Sequence, residues 1–240
     1  MTTDFNFKLL CILPARGGSN GVPRKNLRVV GGHPLIEWSI RAGQESIHPK
    51  TVVVSTDDDE IAQIATSSGA LVVSRPAELA TDTSPTELTM AHTLNAVPDS
   101  DSYSHIVLLQ PTAPIRRVGL VDQAIEKMIC DGSYSLVGVI ASSPFIWKGS
   151  TGNASPQYDV ARRPMRQSFT ASDLSYRETG NIYITTVDAF RNSGCRVSGK
   201  TSLFVLNINE GLDIDTEFDM EQADVLLRAT PRSEISKIIQ

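Results

Sequence analysis

Cysteine and histidine are scarce: three and four in 240 residues. Cys11, Cys130 and Cys195 lie far apart, and an odd number of widely spaced thiols is no disulfide framework. No C-x-x-C pair or Cys/His spacing points to zinc, and His33, His48, His92 and His105 are scattered without metal-ligand neighbours. Long apolar runs are missing too. The first seven residues lack a leader-like stretch and no window approaches 18 apolar residues, so a cytoplasmic protein without a membrane span is expected. Excess positive charge is lacking: the formal net charge is −5, against the basic surface that nucleic acids require. No G-x-S-x-G or Cys/His pair supports acyl transfer.

What remains is an ordinary mix, 40% apolar and 20% charged, in a chain long enough for one large domain over residues 1–240. Short apolar runs at 8–13, 51–56, 70–74, 105–110, 134–140, 181–185 and 202–206 read as strands. Several are apolar throughout, as strands covered on both faces are. Between them, 34–45, 58–68, 84–96, 117–131 and 217–229 read as helices. Strand alternating with helix predicts an α/β fold, a doubly wound and mostly parallel Rossmann-like sheet. Residues 141–178 break the rhythm, rich in Ser, Pro, Gly and Arg without a period. A loop that long inside a compact domain predicts function or an arm packing on a partner.

In such sheets ligands bind beyond the carboxyl ends of the strands, so the loops there carry the chemistry. After the first strand comes ARGGSNGVPRKN. Gly17, Gly18 and Gly21 let backbone approach a ligand and line up N–H donors, while Arg16, Arg24 and Lys25 add positive charge. That combination suits a polyphosphate. It is neither a Walker A loop, lacking G-K-[ST], nor a clean G-x-G-x-x-G. In STDDD, Asp58 and Asp59 suit a helix start, with Ser55, Thr56 and Asp57 at the ligand edge. Arg75, Ser84 and Thr86 in RPAELATDTSPTE could read a base edge, or Ser84 could cap the helix. Gln110 ends a strand, and Arg116 beyond it could reach an anion or pair with an acid. In LDIDTEFD, Asp213 and Asp215 flank Ile214; an extended segment points both to one side, a hard-cation arrangement suited to Mg2+. Asp219 reads as a capping residue three positions after Thr216.

Taken together, LPARGGSNGVPRKN, VVVSTDDDEIA, RPAELATDTSPT, LLQPTAPIR, YRETGNIYI and LDIDTEFDMEQAD resemble, in order, the CMP-sialic acid synthetase (acylneuraminate cytidylyltransferase) family. The resemblance spans residues 9–224. It implies transfer of CMP from CTP to a nonulosonic 2-keto sugar acid, with release of pyrophosphate, Mg2+ as cofactor, and a homodimer. A phosphonate acceptor and a catalytically silent nucleotide-binding protein are the alternatives. It implies that Arg16, Gly17, Ser19, Lys25 and Asn26 hold the triphosphate and ribose, and that Arg75, Ser84 and Thr86 read cytosine. It implies that Gln110 and Tyr183 face the sugar acid and that Asp213 and Asp215 hold the metal. Arg16, Lys25, Asp213 and Asp215 are the expected catalytic set. It implies that 141–178 is a dimerisation arm, with Arg166 and Arg177 meeting the sugar carboxylate. The chain departs from the pattern at Asn20, where lysine is usual and Arg24 is the candidate to compensate, and at Thr179 and Asn181, which bear on the acceptor.

Overall fold

The computed structural model describes residues 7–19, 21–143, 145–163, 165, 167, 169, 170 and 173–229. In chain order the elements are β1 (Leu9–Pro14), β2 (Val29–Val30), β3 (His33–Pro34), α1 (Leu35–Gln44), β4 (Lys50–Thr56), α2 (Asp59–Ser67), β5 (Leu71–Ser74), α3 (Thr86–Ala96), β6 (His105–Leu108), α4 (Leu120–Asp131), β7 (Ser135–Ser142), β8 (Trp147–Ser150), β9 (Asn153–Pro156), β10 (Ser175–Thr186), α5 (Val187–Ser193), β11 (Thr201–Leu206) and α6 (Glu217–Ala229).

Seven strands form one sheet in the order β11-β7-β10-β6-β1-β4-β5. All seven predicted strands are in it. β1 pairs in parallel with β4 and β6, β4 with β5, and β7 with β11. Only β10 runs against its neighbours, β6 and β7. The helices cover both faces, which is why Leu9 to Leu13 are wholly buried. On one side Ile36, Ile40, Ile61, Ala65, Leu120 and Ile125 pack on the sheet; on the other Met90, Leu94, Val187 and Phe190 do.

A third apolar cluster positions the site. Val22 of the glycine loop, Val30, Leu35, Trp38, Ile115, Ile214 and Met220, Ala223 and Leu227 of α6 bury one another. Ile214 is wholly buried and its N–H donates to the Thr112 carbonyl at 2.8 Å. Burying one such side chain is worth about 2 kcal/mol. The loop after β1, the loop after β6 and the segment before α6 are thereby held together, although some 190 residues separate the first from the last.

Within 141–178, β7 and β10 continue as a paired ribbon from Ser142↔Ser175 to Val139↔Glu178, and β8 pairs with β9 as a hairpin. Arg163 stacks on Phe145 at 4.1 Å, and Tyr158 meets Phe145 edge-on at 5.1 Å. Trp147 is exposed. Among the described residues, no helix is long and apolar enough to cross a membrane.

Candidate functional site

The strand order turns back at β1, and the crevice beyond the carboxyl ends of β1 and β6 holds a cavity of about 270 Å3. Arg16, Gly18, Ser19, Lys25 and Asn26 line it from the first loop, Arg75, Ser84 and Thr86 from the β5–α3 segment, and Gln110 from the end of β6. Of the expected nucleotide residues only Gly17 stands outside that lining. Its N–H donates to Asp57 Oδ1 at 2.9 Å, so it shapes the loop. Asn26 Nδ2 ties the loop to itself through the Arg16 carbonyl at 2.9 Å.

Ser84 is not a helix cap. The residue at the cap of α3 is Pro85, and the Ser84 hydroxyl is buried without a hydrogen-bond partner. A buried polar atom without a partner costs about 1–3 kcal/mol, a cost that a polar ligand in the cavity would remove. Arg75 is 7% exposed and lies against Ser55, its Nε 3.3 Å from the hydroxyl. Burial lowers its pKa to about 10; Asp57 opposes the shift and Arg16 adds to it. Two neighbouring cations at a desolvated wall favour an electron-rich guest.

Beyond the cavity, the glycine loop touches the acidic segment directly. Lys25, 9% exposed, donates to the Ile214 carbonyl, and its Nζ lies 3.6 Å from Asp215 Oδ1. A Cβ on Gly21 would stand 2.1 Å from the Asp215 carbonyl oxygen. Gly180 makes a second close approach: a Cβ there would stand 2.4 Å from Gln110 Oε1 and 2.9 Å from Asp213 Oδ2. Gln110 and Asp213 therefore share one side of β10. Asp213, Asp215 and Arg177 line an open groove of about 910 Å3 together with Leu212, Phe218 and Val225.

Asp213 and Asp215 thus both open on the groove from either side of the anchored Ile214, and no described residue donates a hydrogen bond to Asp213. Two hard carboxylates, one without a donor, fit a divalent cation that draws its remaining ligands from phosphate and water. No group of three or more His, Cys, Asp or Glu that could hold a metal by itself occurs among the described residues. Asp219 belongs to the helix start instead: its Oδ2 accepts from Thr216 N at 2.8 Å and Thr216 Oγ1 at 2.7 Å, and these bonds hold its carboxyl below the usual range. Asp58 likewise caps α2, accepting from Glu60 and Ile61 N–H, both at 3.0 Å.

Tyr183 is 5% exposed, and its hydroxyl meets Glu178 Oε2 at 3.2 Å. Burial pushes that hydroxyl up to about 12; Arg196 opposes this, and Glu178 and Asp213 add to it. Arg166 and Asn20 lie outside the described residues. Three sequence expectations change. Arg116 does not reach a ligand: it is wholly buried and donates to the Asn181 carbonyl (2.7 Å), the Gln110 carbonyl (2.9 Å) and Ser39 Oγ (2.9 Å). Arg24 does not replace a cation at the cavity; it pairs with Glu60 at 2.7 Å and Asp58 at 3.4 Å. Thr179 and Asn181 face inward. Thr179 donates to the Gly138 carbonyl, and Asn181 Nδ2 donates to the Ile115 (2.9 Å) and Glu210 (2.8 Å) carbonyls, so they set the strand rather than the acceptor.

Residues 10–143 match the family model described as Cytidylyltransferase. The CMP-N,N'-diacetyllegionaminic acid synthase of Legionella pneumophila is 32% identical over 92% of this chain and 96% of its own length.

The chain belongs to the cytidylyltransferase family.

A pseudaminic acid cytidylyltransferase of Campylobacter jejuni is 31% identical over 94% of this chain and 99% of its own length. N-acylneuraminate cytidylyltransferase B of Danio rerio is 31% identical over 89% of this chain, which spans about half of that protein, 50%. Among solved structures, a CMP:2-keto-3-deoxy-manno-octonic acid synthetase complexed with CTP superposes with a TM-score of 0.67 over 92% of this chain and 99% of its own, at 17% identity. The 4-diphosphocytidyl-2C-methyl-D-erythritol synthase of Anaerococcus prevotii gives 0.65 at 12% identity, over 93% and 99%. At those identities the likeness is one of fold, and it agrees with the mostly parallel sheet.

Sequence reasoning undervalued several groups of this cytidylyltransferase. Asp57 orients the glycine loop through Gly17. Asp82 holds Arg16 at 2.5 Å across the cavity mouth. Glu87 and Arg196 pair at 3.3 Å beside Tyr183. Asp57 lies within STDDD and Asp82 within RPAELATDTSPTE, and an acid in those ligand-edge segments is the signal for a partner of the loop cations. Arg196 follows a short helix in a stretch without pattern, and only the fold brings it to the site.

Proposed function

We propose that this cytidylyltransferase transfers CMP from CTP to a nonulosonic, sialic-acid-like 2-keto sugar acid and releases pyrophosphate. One observation carries the reading: the glycine loop, through Gly21 and Lys25, lies directly on the segment bearing Asp213 and Asp215. A polyphosphate cradle and a hard-cation pair thus share one site, with the Gln110–Gly180–Asp213 approach leading into the groove beside it. The relatives whose names state CMP-legionaminate, pseudaminate and N-acylneuraminate activation support the acceptor class.

In this reading Arg75, Ser84 and Thr86 hold the base. Arg16, Ser19, Lys25 and Asn26 hold the ribose and phosphates, with Arg16 and Lys25 on the leaving pyrophosphate. Gln110, Tyr183 and Arg177 place the sugar acid, and Arg166 joins them from the partner's arm. The anomeric 2-hydroxyl oxygen bonds to the α-phosphorus as the bond to the β-phosphate oxygen breaks, and the hydroxyl proton passes to solvent. The chain's work is positioning and charge neutralisation. Asp213 and Asp215 would hold Mg2+, which supplies neutralisation of phosphate charge when bound. The ribbon and hairpin of 141–178, with Trp147 exposed, serve a homodimer.

The test is pyrophosphate release with CTP, Mg2+ and a panel of 2-keto sugar acids, with phosphonates and UTP as contrasting arms. Turnover of a nonulosonate with CTP is expected. Lys25→Ala and Asp213→Asn should each raise the barrier by about 3–4 kcal/mol with the fold retained. Turnover of a phosphonate alone, or near-normal rates in both variants, would refute the reading.

A further inference from the structure

Arg196 stands beside the proposed acceptor position with hydrogen-bonding capacity that the described residues leave unused. Its guanidinium carbon lies 4.8 Å from the centroid of the Tyr183 ring. Its Nη1 lies 3.3 Å from Glu87 Oε1, and the two side chains are 26% and 24% exposed. That ion pair is its one polar contact among the described residues. A guanidinium carries five N–H donors in a fixed plane. The Tyr183 ring lies beside the guanidinium and one Glu87 oxygen pairs with one of its nitrogens, so donors remain.

The surroundings give those donors a direction of use. Glu87 follows Thr86 at the start of α3, and Thr86 lines the nucleotide cavity. Tyr183 sits on β10 three residues after Gly180, which touches both Gln110 and Asp213. Arg196 therefore bridges the nucleotide side and the acceptor side. The ring and the carboxylate hold the guanidinium from two sides, which favours reading a polar group by geometry as well as by charge.

We propose that Arg196 is an acceptor-selecting residue: its spare N–H donors bind a hydrogen-bond-accepting substituent, an acylamido carbonyl or a hydroxyl, on the part of the sugar acid that lies along Tyr183. The assignment rests on the sugar-acid reading above. A site with donors left to satisfy rejects an analogue that lacks the accepting group far more strongly than an apolar wall rejects one that is merely smaller.

The experiment uses the full chain and pairs of nonulosonates that differ at one substituent, acylamido against hydroxyl and hydroxyl against hydrogen. In the unmodified protein, kcat/KM should favour the substituted member of at least one pair by roughly 10–100-fold. Arg196→Met should bring that ratio within about threefold of unity, and Arg196→Lys should hold an intermediate value. The KM for CTP and the melting temperature should stay close to those of the unmodified protein. Glu87→Gln should keep the preference, because the amide oxygen can still accept from the guanidinium and no Arg196 donor is lost. A preference undiminished in Arg196→Met overturns the proposal. An equal loss for CTP and for every acceptor assigns Arg196 a structural role and overturns it too. If the unmodified protein turns over sugar acids without discriminating within any pair, this assignment fails alone; if it turns over none, the sugar-acid reading fails and takes the assignment with it.

Discussion

Gly21→Ala isolates the contact on which the site depends. The new Cβ would lie 2.1 Å from the Asp215 carbonyl oxygen, against about 3.5 Å for ordinary contact. The obstacle is backbone, so no side chain can rotate away, and the two segments must part by roughly 1 Å. Gly21 itself is exposed, so the cost of alanine falls on the contact with Asp215. Ile214 is anchored in its apolar cluster and resists moving. The glycine loop should therefore shift, carrying Lys25 away from Asp215. A displacement of about 1 Å in a positioned site costs on the order of 100-fold in rate, or about 2.7 kcal/mol of barrier. Pyrophosphate release should fall by that factor, and the melting temperature should fall as well, since Val22, next to Gly21, belongs to the third apolar cluster and moves with the loop. A variant within about threefold of the unmodified rate would refute the idea that the loop and the acidic segment act as one unit.

Two further outcomes follow from charge. Asp82→Asn should tighten CTP binding about two- to fivefold by calorimetry, because the half-exposed Arg16–Asp82 pair, worth at most about 1 kcal/mol, must open before Arg16 meets phosphate. Weaker binding would instead place Asp82 on the nucleotide. His105 stacks on Phe7 at 4.6 Å, and burial, with a smaller push from His48, lowers its pKa to about 4. The unfolded chain takes up that proton near pH 6.5, so stability present above 6.5 is lost as pH falls toward 4. The loss should be about 2–3 kcal/mol in urea melts, and His105→Phe should flatten it; an unchanged slope would refute the assignment.

The sheet was legible because strands covered on both faces advertise themselves as apolar runs, as Leu9–Leu13 does. The direction of β10 was not: its partner β7 lies across an aperiodic stretch, and a ribbon that leaves the sheet carries no burial pattern to read. α5 was missed for length. Thr186 caps it, accepting from Ala189 N–H at 3.2 Å, and Gly194 ends it with φ 66°, but seven residues are too few to show a helical period. Arg116 illustrates the opposite failure. A cation in a ligand-edge loop looks functional, and only the carbonyls of Gln110 and Asn181 around it reveal a structural brace. The motif residues were found because they lie beside strand ends. That they meet was expected from the resemblance; the apolar contact through Ile214 and Val22 that brings them together was not readable, because a contact nearly two hundred residues apart leaves no local trace.

The glycines of the first loop sharpen this. In sequence all three read as room for a ligand. In the structure a Cβ on Gly17 would stand 2.7 Å from Asp58 Oδ2, and one on Gly21 would press on Asp215, so the chain itself demands two of them. Gly18 differs: no described residue lies within 4 Å of a Cβ there, and the residue lines the 270 Å3 cavity. No described residue gives a reason for its missing side chain, which leaves the proposed nucleotide. Gly18→Leu should fold with an unchanged melting temperature, since the added atoms meet open space. It should bind CTP at least 10-fold more weakly, because those atoms enter a cavity of about 270 Å3. Unimpaired CTP binding would mean that the phosphates do not pass over Gly18, and the cradle would have to be sought elsewhere on the sheet edge.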